Sequence, residues 1–195
     1  MGKNPSIGGS KMDYAFHYNN AMARTGVYMA LKNLLGTLSA SPVVLCIGSD
    51  LAVGDSLGPI VGTMLQTGRP FQGYIYGTLK NPITAKEAKY LVDFLKKTHP
   101  HRDIIAVDAA VGEEQDVGLV KVTAGAIRPG AGANKRLPKV GDVSILGIVA
   151  KKAPLSYPLF NLTRLGAVYS MADIIAGAIS DLTSDQLVNK SQNCV

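Results

Sequence analysis

The stretch Val43–Pro59, VVLCIGSDLAVGDSLGP, limits the folds open to this chain more than any other. Five successive apolar residues, Val43 to Ile47, fit a strand buried on both faces, because the polar alternation of a half-exposed strand is missing. Gly48, Ser49, Gly54 and Asp55 then supply loop chemistry, and Gly58-Pro59 opens a helix. Strand, glycine loop and helix in that order make the first half of a βαβ unit. The loop is thereby placed at the carboxyl edge of a parallel sheet, where open α/β folds bind their ligands. One acid, Asp55, stands in that loop just ahead of the helix.

A second acid occupies a matching position. Asp103 to Ala110, DIIAVDAA, is another short apolar run, with Asp108 where it ends. Neighbouring parallel strands would bring Asp55 and Asp108 out at one edge of one sheet. Each has a plainer role open to it: an N-cap for Asp55, a backbone bond to the next loop for Asp108. As a cap, however, Asp55 would leave Pro59 at the fourth helical position, where its missing N–H forfeits the first intrahelical bond. Ser56 or Gly58 is the better cap, with Pro59 inside the first turn, and Asp55 is left to face the cleft.

The remaining elements follow from period and punctuation. Residues 1 to about 19 have no period and read as an irregular arm. Asn20 to Leu35 has helical spacing, with Val27, Leu31, Leu34 and Leu35 on one stripe and Gly36 as a stop. Phe71 to Leu79 reads as a strand broken by Asn81-Pro82. Thr84 and Glu87 make a capping box for a helix carrying Ala88, Leu91, Val92 and Leu95 on one face and ending before Pro100. Gly118–Ala124 and Val143–Ala150 read as two more strands. Phe160–Leu182 is the longest helical pattern, with Leu162, Leu165, Val168, Ala172, Ile175 and Ile179 as its core stripe. The expected architecture is a three-layer α/β/α sandwich around a twisted, mostly parallel sheet of about five strands. Residues 41–182 form its single domain, after an arm and helix (1–40) and before a polar, fraying tail (183–195).

Composition narrows the function classes. With 195 residues, 47% of them hydrophobic, the chain can bury a real core. No apolar segment approaches the roughly 20 residues that span a bilayer, and the first residues do not form a signal peptide. Cys46 falls in a buried strand and Cys194 in the tail, so no disulfide framework is expected and a reducing, cytoplasmic compartment fits. The net charge of +6 is scattered, which permits an acidic partner without indicating direct nucleic-acid binding. Ile127–Asp142, IRPGAGANKRLPKVGD, is a long glycine-rich basic loop. It reads equally as a surface connection or as a substrate or anion loop presenting Arg128, Asn134, Lys135 and Arg136.

Two carboxylates in one cleft cannot both ionise cheaply, so the pair shares a proton. The ionised partner can then take a proton from water while the neutral one donates to a carbonyl oxygen or leaving amine. The other solution to amide hydrolysis is a metal, which usually asks for an imidazole. His99 and His101, in the turn before the Asp108 strand, would lie roughly 25 Å from Asp108 and read as solvated loop residues. His17 reaches the cleft only if the N-terminal arm folds over it. A metal-free dyad is the expectation, with no cofactor.

The motifs themselves resemble those of a known family. Gly48–Pro59 (GSDLAVGDSLGP), Gly77–Pro82 (GTLKNP), Ala106–Ala109 (AVDA), Ile127–Asp142 and Thr163–Leu165 (TRL) together are similar to YyaC-type sporulation proteins. That group is related to the germination protease of spore-forming bacteria and, more distantly, to hydrogenase-maturation endopeptidases. The resemblance spans roughly residues 42–182. It implies an endopeptidase acting on small acid-soluble spore proteins inside the forespore or spore, with Asp55 and Asp108 catalytic. Ser49, Asp50, Arg128, Asn134, Lys135 and Arg136 are the expected substrate contacts. The hydrogenase-maturation likeness implies metal-binding acids at Asp55 and Asp108 with a histidine as third ligand, and no histidine stands at a corresponding place. A non-catalytic binding module on a protease fold, and a phosphate or nucleotide enzyme using the 128–139 loop, are the alternative readings. The aliphatic stripe on the N-terminal helix leaves a homo-oligomer open.

Overall fold

A computed structural model describes residues 13–127, 141–152 and 162–192. In chain order the elements are β1 (Asp13–His17), α1 (Ala23–Leu35), β2 (Val43–Cys46), a 3-10 turn (Gly54–Ser56), α2 (Leu57–Thr67), β3 (Tyr74–Tyr76) and α3 (Ala85–Thr98). There follow β4 (Ile104–Gly112), a second 3-10 turn (Glu114–Asp116), β5 (Leu119–Ala124), β6 (Val143–Lys151) and α4 (Leu165–Gln192). The strands form one sheet in the order β1-β5-β6-β4-β2-β3. The pairings β6·β4, β4·β2 and β2·β3 are parallel, and β1·β5 and β5·β6 antiparallel.

Alternation along the parallel strands divides the interior in two. Val44, Cys46, Ile105, Val107, Ile145 and Val149 turn to a core shared with α1, α2 and α4. Val43, Leu45, Ile47, Ile104 and Ala106 turn to a second core built with Ala88, Val92 and Leu95 of α3. Because both faces are covered, β2 reads as an unbroken apolar run and is buried throughout. The three-layer α/β arrangement expected from the sequence is the one found.

Several elements differ in extent. Phe71–Leu79 does not form one strand; only Tyr74–Tyr76 pairs, on the sheet edge. Gly77, at φ 95°, turns the chain immediately afterwards and sits so close to Cys46 that a Cβ would come 1.9 Å from its carbonyl oxygen. Residues 13–17, expected to be irregular, form edge strand β1, because Tyr14 and Phe16 alternate onto the first core and β5 offers an open antiparallel edge. β1 brings the sheet to six strands. β4 outruns the expected strand end at Asp108 by four residues, since β6 continues beside it to Gly112.

The last helix is also displaced from its expected bounds. Leu162 precedes it and Leu165 opens it, both exposed, so the core stripe begins at Val168. At its other end the helix runs through the supposed polar tail to Gln192. Side-chain pairs tie it down: Arg24 donates to both Asp181 oxygens at 2.8 and 2.6 Å, Arg69 pairs with Asp173, and Lys32 with Asp185. These half-exposed pairs fix orientation more than stability, at about 0–1 kcal/mol each. By length and composition Leu165–Asp185 is apolar enough to cross a membrane, contrary to the expectation that no segment is. From Val168 on, most of its apolar residues fill the first core, which accounts for that composition.

The capping box is present. The Thr84 side chain accepts the Glu87 backbone N–H, and the Thr84 N–H donates to Glu87 Oε2 at 2.8 Å. Thr84→Ala is expected to cost about 1 kcal/mol in denaturant unfolding with the fold otherwise intact.

Candidate active site

β2 leads through α2 to β3 on one side, and β3 returns through α3 across β2 to β4 on the other. With α2 and α3 on opposite faces, the chain reverses direction between β2 and β4. A crevice at the carboxyl ends of these two strands is what such a reversal produces, and it is where ligands of open α/β sheets bind.

The β2–α2 connection fills one wall. Gly48 donates its N–H to the Ile83 carbonyl at 2.9 Å, joining the loop after β2 to the loop after β3. At φ 146°, Gly48 also lies against Asp55, whose carbonyl oxygen would stand 2.0 Å from a Cβ there. The Ser49 N–H donates to that same carbonyl at 3.1 Å, and Ser49 Oγ accepts the Leu51 N–H at 3.2 Å. Asp55 thus belongs to a closed turn whose backbone is fixed at both ends. Ser56 precedes the first residue of α2, and its hydroxyl donates to the Val53 carbonyl at 2.6 Å instead of capping the helix through its side chain. Pro59 falls inside the first turn, as its missing N–H requires. Asp55 itself is half-buried.

Asp108 stands on the neighbouring strand. The last rung between β2 and β4 pairs Cys46 with Val107, closed by the Ile47 N–H to the Val107 carbonyl at 2.8 Å. Asp108 is the next residue of β4, so it lies at the carboxyl edge of β2 although β4 continues. It is only 5% exposed, and its Oδ1 accepts the Ala109 N–H at 2.8 Å. The 3-10 turn carrying Asp55 packs against β4. The two segments bearing the acids therefore meet at the reversal point. Ser49 is buried at the base of the turn, while Asp50 is exposed beside it.

Residues 15–178 match a family described as "Protein of unknown function (DUF1256)". The chain belongs to this family. It is 38% identical over 168 residues to "Uncharacterized protein YyaC" of Bacillus subtilis (strain 168), covering 86% of this chain and 82% of that one. The family match takes in both acids, their two strands and the loops that join them.

The other expected family contacts, Arg128, Asn134, Lys135 and Arg136, lie outside the described residues. The stems of that loop leave the sheet at its amino edge: the Gly125 N–H donates to the Asp142 carbonyl at 2.7 Å, and Asp142 Oδ2 accepts the Ile104 N–H at 2.9 Å. There burial and the neighbouring Asp142 push the Asp103 carboxyl above its ordinary range. His17 ends β1, three strands from β4 and so roughly 14 Å away. Among the described residues no three His, Cys, Asp or Glu side chains gather as metal ligands. The donor set therefore does not fit the acid–acid–histidine site that the hydrogenase-maturation likeness implies. Cys46 is a free, buried thiol whose pKa burial pushes up, which leaves it unreactive.

His99 is a correction. Expected as a solvated loop residue, it is buried at the C-terminus of α3, its Nε2 2.7 Å from the Tyr76 hydroxyl and its ring 4.1 Å from that of Tyr74. Burial, and secondarily the charge of Arg102, lower its pKa from the ordinary 6.5. The folded state thus holds the neutral ring more firmly than the unfolded state does. Its contribution to stability is complete above about pH 6.5 and is lost as pH falls from there through the lower folded value. Thermal unfolding between pH 8 and 5 should therefore decline less steeply in His99→Gln than in the wild type.

The sequence reading missed the residues that clamp the second loop. Thr63 Oγ1 accepts the Leu79 N–H at 2.9 Å, and Thr78 closes a turn with Asn81 through bonds of 3.0 and 3.1 Å. Threonine at these spacings is common in helices and turns alike, so only the Asn81-Pro82 pair gave a local signal.

Proposed function

We propose that the protein is an endopeptidase in which Asp55 and Asp108 act as an acid–base pair at the carboxyl edge of the sheet. The observation that carries the reading is the place of Asp108: a nearly buried acid at the strand-order reversal, on the strand against which the turn bearing a second acid packs. In the proposed reaction one ionised carboxylate takes a proton from water as its oxygen attacks the peptide carbonyl. The protonated partner donates to the leaving amine as the C–N bond breaks. The resemblance of the Gly48–Pro59, Ala106–Ala109 and Ile127–Asp142 motifs to those of the germination protease supports small acid-soluble spore proteins as substrates and a role in sporulation. A pair sharing one proton should give a bell-shaped dependence of peptide hydrolysis on pH, with two apparent pKa values belonging to the pair. A flat profile, or one lost only when the protein unfolds, contradicts the pair.

A second reading is favoured by one bond. The Ala109 N–H donated to Asp108 is what a structural carboxylate accepts, and a binding module keeping the protease fold would need no more. Capture of an intact spore protein that survives replacement of both acids would support it.

A further inference from the structure

Resting on the peptidase reading, we infer that Leu51 determines substrate specificity by taking an apolar side chain of an extended peptide beside the scissile bond. Leu51 is 86% exposed, more than any other large hydrophobic residue described. Single exposed leucines are ordinary on protein surfaces, but the frame of this one is not. Its own N–H is held by Ser49 Oγ, Ser49 is buried and bonded to the Asp55 carbonyl, and Ala52 on the far side is buried in the first core. The backbone that carries this side chain is thus fixed in the turn that bears Asp55, four residues before it. The partner loop repeats the pattern. Joined to the first by the Gly48–Ile83 bond and closed by Thr78 and Asn81, it presents Leu79, 40% exposed, from a backbone held by Thr63.

Two adjoining loops at the carboxyl edge of the sheet therefore each hold one leucine outward on a backbone that is already ordered. The chain entropy of placing these residues is spent in folding, so covering them with an apolar group yields binding with little further ordering cost. A polypeptide with a leucine- or phenylalanine-sized residue next to the bond reaching the acids fits this arrangement. A charged or small polar residue there would leave both leucines in water.

The test uses two fluorescent peptides of equal length, one with Leu and Phe at its centre and one with Ser and Gln. Each is titrated by anisotropy into the full-length wild type, Asp108→Asn and Leu51→Ser, and cleavage is followed in parallel. The apolar peptide is expected to bind wild type and Asp108→Asn at least about tenfold more tightly than the polar one, with most of that preference gone in Leu51→Ser. Equal binding of the two peptides, or a preference unchanged in Leu51→Ser, overturns the inference. Leu51-dependent binding without cleavage removes the peptidase reading and leaves the apolar recognition standing. Cleavage of both peptides at equal rates, indifferent to Leu51, does the reverse.

Discussion

Asp108→Asn is expected to lower the kcat of peptide hydrolysis about a thousandfold, within the range of a lost general acid–base group, while the protein unfolds at nearly the wild-type temperature. The two halves of this expectation have separate causes. Asparagine keeps an Oδ1 that can accept the Ala109 N–H, and it places no charge in a position only 5% exposed. The strand, its pairing with β6 and the cores on either face are unaffected. What is lost is the ability to hold or release a proton at the reversal point. Asp55→Asn should behave alike. On the proposed pairing, in which the two acids act as a unit, the double variant should be little slower than either single one. Circular dichroism melts alongside the kinetics separate the outcomes: a large loss of folding in either variant identifies a structural carboxylate.

Gly58→Ala is expected to destabilise the protein by about 3 kcal/mol, the upper part of the usual range for overpacking, and to remove activity with it. An added Cβ would stand 2.2 Å from the Ile47 carbonyl oxygen and 2.8 Å from the Ile47 nitrogen. Both are backbone atoms of the segment that ends β2, so neither can turn aside as a side chain would. The first turn of α2 must draw back, and the adjoining turn with Asp55 goes with it. Gly166→Ala provides the control. In the first turn of α4, nothing lies within 4 Å of its Cβ position, so the change should be neutral or stabilise by up to about 1 kcal/mol. Denaturant unfolding of the two variants measures the contrast, and equal effects would show that close approach of α2 to β2 is not what Gly58 provides.

The parts of this molecule legible in the sequence are those fixed by local chemistry or full burial. β2 and the core of β4 announced themselves as apolar runs, Thr84 and Glu87 as a capping box, and Pro59 placed the start of α2. The place of Asp55 just ahead of α2 followed from these, because Pro59 fixes where that helix begins. The misjudged elements depended on distant partners. β3 stops at Tyr76 because Gly77 packs against Cys46, thirty-one residues away in the chain. β4 passes Asp108 because β6 supports it, and β1 forms because β5 offers an edge. His99 was misplaced for the same reason: nothing local indicates that Tyr74 and Tyr76 will cover it.

The measurement that tests the central claim most directly is digestion of a panel of small acid-soluble spore proteins, followed by intact mass. Wild type, Asp55→Asn and Asp108→Asn are compared, each with and without a chelator. The paired-carboxylate account predicts discrete fragments from the wild type, none from either variant, and no change on chelation. Absence of fragments from the wild type, or equal fragments from the variants, would contradict it.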